Sequence, residues 1–290
     1  MRYRVRHTTT YDYAEKVDLA SHMLHLTPRS LAWQRVEAAS IEAHPMPARV
    51  TEGIDHFGNP VRWMFLDRPH YRFEVTVEAV VEVAFPPPPE PGATPPWEQV
   101  AEAAERGGPG AWQAAEFAFA SPMAPADAGA GAYAAISFPP GRPVLAGLLD
   151  LTRRINAEFA FKPGETTLHT PISQVLAQRA GVCQDFTHLM LAGLRALGLP
   201  GRYVSGYLRT RPPPGREALR GADQSHAWVG GWMGPALGWV DLDPTNNLVV
   251  ASEHVVLAWG RDYGDISPIR GVILGGGAHS VDVGVDLAPV

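Results

Sequence analysis

A single cysteine, Cys183, in 290 residues leaves no partner for an intrachain disulfide, so no disulfide framework holds this chain together. Lysine is almost missing: only Lys16 and Lys162 are present. Arginines are scattered singly or in pairs, no basic block occurs, and the net charge is −6 with a pI near 6.0. That distribution excludes a nucleic-acid footprint. No segment reaches the roughly 20 consecutive apolar residues of a membrane helix. Met1-Arg-Tyr-Arg-Val-Arg6 carries no apolar signal core. The expectation is a protein of the reducing cytoplasm with no membrane and no nucleic-acid partner. What is plentiful is Pro (28) and Gly (29), which predicts long loops, and a hydrophobic content of 46%, enough for a sizeable core.

The chain reads in four parts. Residues 1–85 alternate in the manner of strands, at 2–13, 20–28, 36–48, 61–66 and 71–85, with no helical period. They predict an antiparallel β-domain. Residues 86–139 form a Pro- and Ala-rich connection: prolines between Pro86 and Pro96, weakly helical stretches at 97–106 and 111–120, then a loop. Residues 140–265 begin with helical patterns at 143–161 and from Pro171. After Gly198 and Pro200 the period becomes two, over Arg202–Leu208, Ser225–Met233 and Gly238–Leu242. Residues 266–290 end in Val281, Val283 and Val285, a late strand free to return to a sheet already built.

The chemistry is sought around Cys183. Gly181 permits a tight turn, and Phe186, Leu189, Met190, Leu194 and Leu197 then recur at helical spacing. The thiol thus falls in a helix's first turn, where unpaired N–H groups and the helix dipole favour the thiolate. A lone cysteine is more often a small buried hydrophobe, so its partners decide. His226 opens one strand and Asp243 ends the next. If those strands pair as a hairpin, the two side chains are neighbours at the edge where the helix begins. An imidazole takes the thiol proton, and a carboxylate fixes its tautomer and stabilises the cation. Asp241, two positions earlier, is expected on the opposite strand face from Asp243. Gln178 and Gln184 are candidates for a second oxyanion donor beside the Cys183 N–H. Asp185 reads as a dipole partner or a substrate-facing group, and His188 as a structural helix residue. Tyr207 and Trp228 read as packing aromatics, and His22, His25, His56 and His70 as surface or core without a metal pattern.

Four segments, Gly181-Val-Cys-Gln-Asp-Phe186, Gly198–Leu208, Ser225-His-Ala-Trp-Val229 and Gly238-Trp-Val-Asp-Leu-Asp-Pro-Thr-Asn246, together resemble the core of the transglutaminase-like superfamily in its bacterial branch. Residues 1–85 resemble the β-rich domain that precedes this core, and Asp265–Val272 resembles its C-terminal segment. The resemblance implies an α+β fold: a papain-like core of helices on an antiparallel sheet, after an antiparallel β-domain. It also implies a triad in which Cys183 is nucleophile, His226 base and Asp243 orienting acid, Asp243 being preferred to Asp241 because it directly precedes Pro244-Thr245, as in the family pattern. The implied reaction is acyl transfer or hydrolysis at a peptide or protein amide through a thioester. It brings no cofactor and no metal. Animal transglutaminases use a Trp upstream of the cysteine for the oxyanion, whereas this chain has none between Trp112 and Trp228. The alternatives are a non-catalytic scaffold that keeps the core, and an acyltransferase acting on a small-molecule amine. Specificity is expected in 209–224, in 97–135 and in the groove between domains. The sequence is silent on oligomeric state.

Overall fold

The computed structural model describes residues 1–210 and 224–290. The chain starts with β1 (Arg2–Leu24), β2 (Gln34–His44), β3 (Arg49–Ile54), β4 (Pro60–Leu66) and β5 (His70–Val83). These pair in the order β2-β5-β1-β4-β3, antiparallel throughout. β1 obeys the strand period of two: Tyr3, Val5 and His7 are buried while Arg2, Arg4 and Arg6 face out.

The strands expected at 2–13 and 20–28 are one continuous strand. Glu15, Lys16 and Asp18 between them are exposed and polar, which reads as a loop. Their backbone is nevertheless held from the far end of the chain. Ala14 N–H donates to Ala278 O (2.8 Å), Glu15 N–H to Gly276 O (3.0 Å), and Gly276 N–H to Lys16 O (3.0 Å).

The connection holds α1 (Trp97–Arg106), α2 (Trp112–Ala115) and α3 (Ala128–Ala135). The last replaces the expected loop. Its sequence, Ala-Gly-Ala-Gly-Ala-Tyr-Ala-Ala, lacks an apolar period, so nothing in it announces a helix. Asp127 caps it by accepting from Ala130 N–H at 2.8 Å. Its small residues let it approach the helix that carries Cys183, where a Cβ at Gly193 would stand 2.8 Å from Ala134 Cβ.

The core follows: α4 (Val144–Glu158), β6 (Ala160–Phe161), α5 (Ile172–Gln178), β7 (Ala180–Gly181), α6 (Cys183–Ala196), β8 (Gly201–Leu208), β9 (Gln224–Trp232), β10 (Trp239–Asp243), β11 (Leu248–Val249), β12 (His254–Gly260) and α7 (Tyr263–Ile266). The three strands expected here form, within a five-stranded antiparallel sheet ordered β11-β10-β9-β8-β12. α6 is buried from Asp185 through Arg195. Each of its Leu and Met side chains removed from water contributes roughly 1.5–3 kcal/mol.

The last strands, β13 (Ile269–Gly275) and β14 (His279–Pro289), both pair antiparallel with β1. The chain's end thus completes the sheet its beginning started. Two side-chain amides join that sheet to the core by acting as strand partners for β12. Gln34 Nε2 donates to Val256 O (2.7 Å) and its Oε1 accepts from Val256 N–H (2.8 Å). Asn59 does the same with Trp259, at 2.8 and 2.9 Å. They satisfy backbone groups that a buried sheet edge would otherwise leave unpaired.

Candidate active site

Cys183 is the first residue of α6, following Val182 in extended conformation. Asp185 Oδ2 accepts from the Val182 N–H (2.8 Å) and from the Thr166 hydroxyl (2.6 Å). Asp185 is therefore a cap that fixes the entry to the helix, and it is buried away from the cavity. Gly181 has an ordinary φ; it is needed because a Cβ there would meet Asp185 Oδ2 at 2.8 Å. Close approach, not a turn, selects glycine.

Cys183 is partly exposed and opens on a cavity of about 300 Å³. Gln184, Tyr203, His226 and Tyr263 of the core also line it. Across from them stand His7, Thr9 and Tyr11 of β1 and Val281 and Val283 of β14. The first sheet is thus one wall of the site. Of the two expected oxyanion donors, Gln184 lines the cavity, while Gln178 Nε2 donates to Ala180 O (2.9 Å). The segment 211–223, expected to influence specificity, lies outside the described residues.

β9 and β10 run antiparallel with Leu242 opposite Val229. That register carries Asp243 to His226, and His226 Nε2 lies 2.8 Å from Asp243 Oδ2. Both side chains are almost wholly buried. Asp243 is held from several sides. Its Oδ1 accepts from the Thr245 and Asn246 N–H groups (2.9 and 3.2 Å), and its Oδ2 also accepts from Asn246 Nδ2 (2.7 Å) and His254 Nε2 (3.3 Å). Burial alone pushes this carboxyl's pKa up, but the bonds from His226, His254 and Asn246 and the His226 charge hold it far below the usual range. Burial pulls the His226 imidazole down. The bond to Asp243, the neighbouring Cys183 thiol and the charges of both outweigh it and raise the pKa to about 10. His226 Nδ1 is buried with no partner meeting hydrogen-bond geometry.

The structure thus sets Cys183 and His226 on one cavity and Asp243 directly behind the imidazole. Asp241 and Asp243 share a strand face, as residues i and i+2 must, and this corrects the expected opposite faces. Position along the strand separates them. Asp241 meets Trp228 Nε1 (3.1 Å) and Arg202 (3.2 Å) instead. Tyr207 and Trp228 are fully buried packing groups. His188 accepts from Tyr263 N–H (3.2 Å), and burial lowers its pKa to about 4. His22, His25 and His70 are buried in the first sheet's part of the molecule, and His56 is an exposed partner of Glu116.

Two residues around Asp243 escaped the sequence reading. Asn246 sits in the quoted motif, where no role is assigned to it. His254 opens the apolar run of β12, and a polar residue ahead of Val-Val-Leu-Ala-Trp was the available signal. His226, Asp243 and His254 each offer one ligand-type atom within 4.8 Å of the others, a spacing a divalent cation could bridge. Here the carboxylate oxygen accepts from both imidazoles.

Comparison with known proteins agrees with this architecture. The profile of the bacterial transglutaminase-like N-terminal region matches residues 3–82, and that of the transglutaminase-like superfamily matches residues 142–244. An uncharacterized protein of Mycobacterium tuberculosis is 41% identical over 293 residues, covering 99% of this chain and 93% of its own. A protein-glutamine gamma-glutamyltransferase of Pseudomonas aeruginosa is 32% identical over 133 residues, 41% of this chain and 20% of that protein. A crystal structure from Cytophaga hutchinsonii, described as that of a candidate cysteine protease, superposes with a TM-score of 0.75. Its identity is 21%, over 99% of this chain and 90% of that one, and it shares the fold. With a β-rich first sheet, a papain-like core of helices on an antiparallel sheet, and full-length relatives at this identity, the chain belongs to the transglutaminase-like superfamily.

Proposed function

We propose that this protein is a thiol enzyme acting on peptide or protein amides, with Cys183 as nucleophile, His226 as base and Asp243 as the group that orients the base. The observation that carries the reading is the imidazole of His226. Asp243 holds it at 2.8 Å through Nε2, and its other nitrogen is unpartnered on a ring that shares a cavity with Cys183.

In this reading His226 takes the thiol proton, and the sulfur attacks the amide carbonyl carbon. The C–N bond breaks, the amine leaves with the proton from His226, and an acyl group remains as a thioester on Cys183. First-turn N–H groups of α6 have no intrahelical acceptor and are free to donate to the oxyanion; Gln184 is the second donor. Water then resolves the thioester. Two lysines in the whole chain make self-cross-linking a poor outcome. The name of the Pseudomonas aeruginosa relative, a protein-glutamine gamma-glutamyltransferase, points to glutaminyl amides as acyl donors. A reducing compartment such as the cytoplasm suits the unpaired thiol, and among the described residues no helix is long and apolar enough to cross a membrane.

The test compares wild type with C183A using a thiol-directed amide probe and mass spectrometry of the products. Labelling and amide turnover confined to the wild type support the reading. Equal labelling of both proteins would end it, and a product carrying an amine in place of water would reassign the second step to acyl transfer.

A further inference from the structure

The cluster behind the cavity contains one imidazole that the proposed chemistry does not use. His254 is 1% exposed on β12, and its Nε2 lies 3.3 Å from Asp243 Oδ2. Its ring stands 6.2 Å from that of His226 and meets Trp228 edge-on at 5.1 Å. It does not line the cavity. Its Nδ1 is buried with no hydrogen-bond partner.

We propose that His254 is a positioning residue for the site: by donating a second imidazole N–H to Asp243, it fixes the carboxylate that orients His226. This rests on the functional reading given above.

Three observations support it. First, an apolar side chain at this position of β12 would pack against Trp228 without leaving a buried nitrogen unsatisfied. An imidazole there carries that cost, so its donor nitrogen is the feature retained. Second, a neutral imidazole has one N–H. Since a carboxylate only accepts, the proton of His254 must be on Nε2, and its unpartnered Nδ1 is then the bare nitrogen. His254 therefore has no proton-accepting atom aimed at the sulfur and acts through Asp243. Third, Asp243 is gripped by donors from three places: its own turn (Thr245, Asn246), β9 (His226) and β12 (His254). Only the β12 contact ties the carboxylate to the opposite edge of the sheet.

The groups facing His226 are few. They are Asp243 and Asn246 from β10 and its turn, His254 from β12, Cys183 from α6, and, around the cavity, Tyr203 from β8, Tyr263 from α7 and His7 and Tyr11 from β1. Asp241 on the same face is paired with Arg202. No free carboxylate among the described residues is placed to replace Asp243.

Because Cys183 is the sole thiol, iodoacetamide uptake against pH reports the site without a substrate. The proteins are wild type, H254F, which removes the donor and keeps a ring, and H254Q, which restores an N–H donor; C183A is the blank. Loss of positioning weakens the thiolate–imidazolium pair, so the pH range of fast alkylation should narrow from both sides in H254F, with about a tenfold loss at pH 6. H254Q should recover to within about threefold. A folded H254F that tracks wild type at every pH overturns the proposal, as does an H254Q profile as narrow as that of H254F. If H254F fails to fold, nitrogen-15 NMR of the wild type decides, with both His226 and His254 expected to be protonated at Nε2. A proton on Nδ1 of His254 overturns the proposal. Failure of the functional reading looks different: wild-type Cys183 would alkylate at pH 6 no faster than an ordinary thiol, while the His254 tautomer would still give its own answer.

Discussion

Asp185 closes over Gly181 so tightly that a methyl group on residue 181 would sit 2.8 Å from the carboxylate oxygen and 2.9 Å from Asp185 Cβ. The same oxygen accepts the Val182 N–H and so sets where α6 begins. G181A must therefore displace the cap of the helix that carries Cys183. The expected cost is about 1–3 kcal/mol of stability from overpacking, together with slower alkylation of Cys183. D185A should lose about 1 kcal/mol as a missing cap and change turnover much less than C183A. Urea melts and iodoacetamide kinetics on the two variants check both statements.

The 2.8 Å contact between His226 Nε2 and Asp243 Oδ2 makes a tautomer argument. Asparagine at 243 can turn its NH2 toward the imidazole. Nε2 must then accept, the proton moves to Nδ1, and the ring meets the thiol as a donor. D243N is expected to keep the fold and lose at least about 100-fold in amide turnover. Steady-state rates with a chromogenic amide, alongside circular dichroism, test this; a loss below about threefold would remove Asp243 from the mechanism.

Part of this arrangement is legible in the sequence. The β9–β10 hairpin follows from a period of two on both sides of Gly234-Pro-Ala-Leu-Gly238, and from it the meeting of His226 with Asp243. The Cys183 helix follows from apolar spacing. Other features carry no local signal. Residues 14–19 are extended because residues 276 and 278 hold their backbone, a long-range cause that no window of sequence contains. α3 is stable because its alanines and glycines fit against α6, and small residues have no visible period. His254 and Asp243 are 11 positions apart, and their side chains meet although β8 and β9 stand between β12 and β10. The sequence contains both residues but not their proximity.

Stability should peak near pH 6.5, for reasons of opposite sign on the two sides. Burial pulls His226 down, but its bond to Asp243, the Cys183 thiol and their charges raise it from its ordinary 6.5 to about 10. Its contribution is full below pH 6.5 and is lost as pH rises toward 10. Burial lowers His7, His22 and His188 to about 4. Their contributions are full above pH 6.5 and are lost as pH falls toward 4. Each proton linked in this way gives a limiting slope of about 1.4 kcal/mol per pH unit. Urea melts from pH 4 to 10 should trace this dome, and H226Q should flatten the alkaline side only. Stability that rises between pH 7 and 10 would contradict the assignment.

Arg202 lies between the indoles of Trp239 (4.6 Å) and Trp259 (3.9 Å) and reaches Asp241 at 3.2 Å. The pair is buried, so removing one partner leaves the other charge uncompensated. R202A is expected to cost about 3–5 kcal/mol, and R202M/D241N to recover part of it. Because Asp241 does not touch His226, alkylation of Cys183 in whatever folded protein remains should stay near the wild-type rate. Denaturation in parallel with alkylation separates the two effects. A mild R202A would contradict the uncompensated-charge argument.

The first sheet supplies the wall that faces Cys183, and this separates binding from chemistry. Val281 and Val283 of β14 line the cavity while each remains 49% exposed. Among the described residues the lining contains no Asp, Glu, Lys or Arg side chain. An amide flanked by uncharged groups fits such a wall. A charge placed there must be desolvated whenever substrate covers it, and half-exposure lets the free protein tolerate it. V283D and V283K should therefore fold normally and alkylate at Cys183 as wild type does. Both should raise KM by about tenfold with kcat held within about threefold, the pattern of lost uniform binding. Measuring both signs matters. An equal effect from Asp and Lys reports an apolar contact, whereas opposite effects would reveal a charged substrate and overturn the neutral-wall argument.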